Sequence, residues 1–197
     1  MVIFDLNGSS PDNFTIRGSL GVGIPMLVIP VVLLLVVLLF HSFLFLDYLH
    51  VASGLTWTGM DLTLGLFFSN VMRGLKNEQR ARVAIRLTPV MPFFMPSISS
   101  VTITAGIYLA GADGYFHPLN DVLVIAIIIA ATLFIMGIGI FLPNELRVYR
   151  ELLKGPRGDI KKAIRLTMLN LRLSLVMVIL QILIILMMAQ LATGVFL

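Results

Sequence analysis

Residues 22–72 read VGIPMLVIPVVLLLVVLLFHSFLFLDYLHVASGLTWTGMDLTLGLFFSNVM, a run of 51 residues without one Lys or Arg. As helix it would extend about 76 Å, more than twice the roughly 30 Å hydrocarbon core of a bilayer, so the run predicts two crossings joined by a short turn. Composition agrees. With 58% apolar residues, 12% charged and a mean hydropathy of +1.01, the 197-residue chain reads as an all-α, polytopic membrane bundle and not as a soluble domain. The absence of cysteine excludes disulfides, thiolate metal sites and a Cys nucleophile.

Apolar runs of about 20 residues place five transmembrane helices at Val22–Phe40, Asp47–Met72, Leu87–Leu109, Asp121–Leu142 and Leu166–Leu191. Of 14 Lys and Arg residues, five lie in Arg73–Arg86 and seven in Arg147–Arg165; the others are Arg17 and Arg172, the latter just inside the last span. Short basic loops are retained on the cytoplasmic side, so the chain is expected in the cell membrane, multi-pass, with its N-terminus cytoplasmic and its C-terminus outside. The net charge of +4 is explained by this orientation, which leaves no reason to invoke nucleic acid. Asn7-Gly8-Ser9 and Asn13-Phe14-Thr15 match the glycosylation acceptor pattern and point the other way, to an external N-terminus. Pro25 and Pro30 offer a means of breaking the first span into a re-entrant segment. The expected organisation is a polar N-terminal segment (1–21), a peripheral transmembrane helix with its outer connection (22–46) and a four-helix membrane core (47–197).

At about 100° per residue, Trp57 and Asp61 fall roughly 20° to either side of His50, which puts an imidazole, an indole and a carboxylate on one helix face. A carboxylate near mid-membrane costs roughly 2.5–3.5 kcal/mol on insertion scales, so Asp61 should turn inward, and a proton-handling role follows if it ionises. Gln181 sits near the middle of the last span and is placed to meet it. The first and fourth spans are nearly all aliphatic and should be peripheral. The second, third and fifth carry the polar residues (among them Ser97, Ser99, Ser100, Thr102 and Thr104; Asn170, Arg172, Ser174 and Gln181) and should converge, because lipid offers those groups no alternative partner. Pro89, Pro92 and Pro96 should bend the third helix or unwind its start.

His41, His50 and His117 all fall toward the outer side in this topology, with Asp47, Asp113 and Asp121, while Met187 and Met188 approach from the last helix. Imidazole with thioether suits copper or haem iron, and imidazole with carboxylate suits zinc. Asp47 and His50 are i and i+3, near enough for the carboxylate to orient the ring. A plainer role is open to each: a carbonyl-bonded interfacial His50, a packing Trp57, a structural Asp61, solvated His41 and His117. The sequence has no P-loop, C-x-x-C, C-x-x-C-H or H-E-x-x-H motif, and no internal repeat.

Leu49-His50, Gly54, Trp57 and Gly59 at the start of a span, followed by Arg80–Leu87, Pro96, Thr104-Ala105-Gly106-Ile107-Tyr108-Leu109 and Leu169-Asn170, resemble the four-helix membrane proteins of the copper-resistance D type. The pattern is also similar to the HemJ-like membrane protoporphyrinogen oxidases and to the membrane domain of membrane-anchored urate oxidase. The resemblance covers Asp47–Leu191 and makes Val22–Phe40 an added helix. It implies a bundle that in some members holds haem b through the histidine matching His50. The chain departs from the HemJ-like pattern in lacking a Lys or His within Asp121–Leu142, which argues against that oxidase reaction. The expectation is a haem- or metal-binding electron-transfer protein, alone or with other membrane subunits of a redox complex: His50 as ligand, Trp57 beside the cofactor, Asp61 and Gln181 handling protons. A copper-handling permease using His50, His41 and His117, and a structural transmembrane subunit without cofactor, are the alternatives.

Overall fold

A computed structural model describes residues 16–117 and 119–194. Six helices make up this part: α1 (Ile16–Leu39), α2 (residues 43–74), α3 (Asn77–Leu87), α4 (Met91–Ala112), α5 (Asp121–Leu153) and α6 (Ile160–Thr193). No strand occurs among the described residues. The Asn7 and Asn13 patterns lie outside them.

Four helices are long and apolar enough to cross a membrane: α1 from Leu20, α4, α5 and α6. The fifth expected span corresponds to α2, which has the length but carries His50, Ser53, Thr56, Trp57, Thr58 and Asp61 along one stretch and is less apolar for it. Pro25 and Pro30 leave α1 unbroken. Its 24 residues span about 36 Å, and the lost N–H bonds are confined to a helix whose apolar stretch is only 17% buried. The corresponding stretch of α5 is also 17% buried, against 33% in α4 and 28% in α6, so the two aliphatic helices are the peripheral ones. Of the prolines expected to disturb the third span, Pro89 lies in the break between α3 and α4, Pro92 occupies the first turn of α4 where its missing N–H costs nothing, and Pro96 lies within the helix.

α4 packs against α1 and α2, while α6 packs against α2, α3 and α5. Every fourth or so residue of α2 is buried: Leu46, Ser53, Trp57, Asp61, Gly65, Ser69 and Met72. The stripe runs through a π-helical stretch, Thr63–Phe68, that begins two residues after Asp61. A second π stretch, Gly137–Phe141, interrupts α5. Pro143 has no N–H to give the Gly139 carbonyl, which favours a widened turn there.

The basic segments expected as loops are largely helical. Gln79 accepts the Lys76 N–H at 2.9 Å and starts α3, and α5 continues to Leu153 because Asn144, Val148, Glu151 and Leu152 form a buried stripe. The turn into α6 closes on Glu151, which accepts from Lys154 at 2.8 Å, Lys162 at 3.0 Å and the Asp159 N–H at 3.3 Å. The bonds from Lys154 and Lys162, with that amide, hold its carboxyl well below the usual range, at about 2.

Candidate functional site

Two polar centres lie along the buried stripe of α2. The first is at the end of the bundle opposite the basic turns. His50 Nδ1 is 2.9 Å from the Thr102 carbonyl of α4, so in the neutral ring Nδ1 carries the proton and Nε2 the lone pair. Thr102 Oγ1 lies 2.9 Å from Ser53 Oγ, and Ser53 donates to the His50 carbonyl at 3.1 Å, tying the two helices together beside the ring. The imidazole lies against Gly106: a Cβ there would stand 2.8 Å from His50 Cε1 and 3.2 Å from Nδ1. A Cβ at Gly54 would stand 3.4 Å from Thr102 Cγ2, an ordinary contact. Only small residues allow two helices to approach this far with an imidazole between them. Nε2 makes no hydrogen bond to the described protein.

The other histidines do not join His50. His41 is an exposed turn residue with φ 50°, its Nδ1 bonded to the Leu39 carbonyl at 2.8 Å, and His117 is exposed. Asp47, Asp113 and Asp121 are exposed too. Among the described residues no three His, Cys, Asp or Glu side chains form a metal-binding group. Met188 packs with Ala110, Leu123 and Leu191.

The second centre is at mid-bundle. Asp61 is 1% exposed and accepts from Gln181 Nε2 at 2.9 Å, so the two side chains placed near the middle of their helices do meet. Ser174 and Trp57 face the same carboxylate. Trp57 is otherwise packed among Ile98, Leu133 and Met177. Gln181 Oε1 is buried without a partner among the described residues. Turning the amide over changes nothing in this count, because one end would still lack a protein partner.

Beside Asp61 is a cavity of about 100 Å³, room for a few water molecules, lined by α2, α3, α4, α5 and α6. It reaches toward the basic end and contains a second carboxylate that the sequence reading did not single out, Glu145. Asn170 faces Glu145. Asn144 donates to Asn170 Oδ1 at 2.9 Å, and Asn170 donates to the Phe141 carbonyl in the π stretch at 3.4 Å. A π stretch thus begins two residues after Asp61, and another ends four residues before Glu145. Neither carboxylate has a Lys or Arg partner; both ion pairs among the described residues belong to Glu151. Such a pair can take up and pass on a proton, and neighbouring waters and hydroxyls can relay it.

No protein-family model, curated protein or solved structure matches the chain.

Proposed function

We propose that the chain is a multi-pass membrane protein with α2 as its fifth span, holding a haem b through His50 for electron transfer, with the Asp61–Gln181 pair and Glu145 serving the associated proton movement. One observation carries the reading. The Nδ1–H bond to the Thr102 carbonyl fixes the tautomer in which Nε2 is free to ligate, and a carbonyl partner of this kind raises the basicity of a metal-bound histidine. His50 would hold the group through its free Nε2, and an oriented imidazole is a donor of the kind that suits haem iron. The donor set fits a closed copper or zinc site poorly, because His41 and His117 stand apart from His50.

Haem bound there would supply a one-electron couple. The residues of the chain do the rest: Gly106 makes room for the ring, Ser53 and Thr102 hold α2 against α4, Trp57 separates the two polar centres, and Asp61, about 16 Å further along α2, keeps a protonatable group at mid-bundle. Reduction of a haem held at the outer end of the bundle would favour proton uptake, and the cavity beside Asp61 runs to Glu145, toward the basic end. The test is the optical spectrum of protein purified from cells supplied with haem. A Soret band that is lost in His50→Ala and kept in His41→Ala and His117→Ala is the expected result. A wild type without haem but with stoichiometric copper would replace this reading by the permease, and one with neither by the structural subunit.

A further inference from the structure

At the basic end, between the end of α2, the start of α3 and the first turns of α6, is an open groove of about 820 Å³ used by neither polar centre. Five of its ten lining residues are Arg73, Arg80, Lys161, Arg165 and Arg172, and none is acidic. Arg80 is fixed by bonds to the Met72 and Arg73 carbonyls, both 2.8 Å, which orient its guanidinium without neutralising it. None of the five takes part in an ion pair among the described residues.

Lys161, Arg165 and Arg172 recur at i, i+4 and i+11, within roughly 40° of one another on α6, and descend about 16 Å from the basic turn into the apolar part of the helix. Arg172 is therefore a charge at the edge of the apolar zone, exposed and without a counter-ion among the described residues. Below it the same face continues as an exposed aliphatic track: Val176, Ile179 and Leu183, 44%, 61% and 43% exposed. Cations above and aliphatic side chains below, on one helix face, are complementary to a single molecule that has an anionic head and an acyl chain.

We infer that this groove binds an anionic phospholipid, its phosphate among Lys161, Arg165, Arg172 and Arg80 and an acyl chain along Val176, Ile179 and Leu183. The inference rests on the membrane placement of α6 and not on haem. The experiment measures the melting temperature of the full chain in neutral detergent as phosphatidylglycerol, phosphatidylcholine or glycerol phosphate is added. It compares wild type, Arg165→Gln/Arg172→Gln and Arg147→Gln/Arg150→Gln. The last variant removes equal charge from the same end, outside the groove.

Phosphatidylglycerol should stabilise wild type and the Arg147/Arg150 variant alike, and the Arg165/Arg172 variant should need more than roughly tenfold more of it. Equal responses to phosphatidylglycerol and phosphatidylcholine would overturn the proposal, as would equal losses in the two variants. A response to glycerol phosphate matching that to the lipid would reduce the groove to an anion site and overturn the acyl-chain claim. Should the double variant fail to fold, Lys161→Gln gives the same comparison. A protein that stays in solution without detergent would instead remove the membrane reading itself.

Discussion

Gly106 is where the geometry of the His50 centre can be tested most sharply. Gly106→Ala adds a Cβ 2.8 Å from His50 Cε1 and 3.2 Å from Nδ1, where ordinary contact begins near 3.4 Å, so the ring must withdraw by roughly half an ångström or α2 and α4 must separate. Overpacking of this kind costs about 1–3 kcal/mol, and stretching the Nδ1–Thr102 bond removes about 0.5–1.5 kcal/mol more, giving an expected loss of about 2–4 kcal/mol. Gly59→Ala is the matched control. No atom lies within 4 Å of a Cβ at Gly59, and Ala is the better helix former, so that change should be neutral or stabilising by up to about 1 kcal/mol. The assay is equilibrium unfolding in mixed micelles, run as a double-mutant cycle with His50→Ala. Removing the ring should make Gly106→Ala nearly harmless, with a coupling of about 1 kcal/mol or more between the two positions. Equal costs of Gly106→Ala with and without the imidazole would refute the claim that this glycine exists to seat the ring.

At mid-bundle, Asp61→Asn should leave the fold intact while changing any proton-coupled property, whereas Asp61→Leu should destabilise by about 1–3 kcal/mol because it strips the Gln181 amide of its partner; unfolding titrations of both variants check this. Glu151 contributes stability that is complete above its unfolded-state value of about 4.5 and is lost as pH falls toward its folded value of about 2. Unfolding measured across that window should fall with pH in wild type and stay flatter in Glu151→Gln. For topology, Lys76→Cys and Lys154→Cys should be protected from an impermeant thiol reagent applied outside and Asp113→Cys should react; reaction of all three from one side would sink the five-span arrangement.

The α2 stripe was legible because helical periodicity alone puts His50, Trp57 and Asp61 on one face, and because a carboxylate and an amide at matching depth have no better partner than each other. Glu145 was not. It sits between Pro143 and Arg147 in a segment that reads as the start of a charged loop, whereas α5 continues through it past a π stretch for which Pro143 was the one local hint. The signal available was the i, i+4, i+7, i+8 spacing of Asn144, Val148, Glu151 and Leu152, which marks a helix with one buried face. α3 was hidden for a similar reason: its basic residues outweigh the Lys76–Gln79 cap that begins it. Spacing puts His50 on the Trp57–Asp61 face, but its bond to a main-chain carbonyl on α4 and its seat against Gly106 depend on helix packing that spacing within α2 does not specify.

The central claim is that His50 Nε2 is a haem ligand. The most direct measurement is a titration of haem into detergent-purified apoprotein, followed by Soret absorbance, for wild type and His50→Ala. Wild type should saturate at one haem per chain with a low-spin or five-coordinate histidine spectrum, and His50→Ala should show neither the stoichiometric break nor that spectrum. Saturation at the same stoichiometry with an unchanged spectrum in His50→Ala, or no saturable binding by wild type, would contradict it.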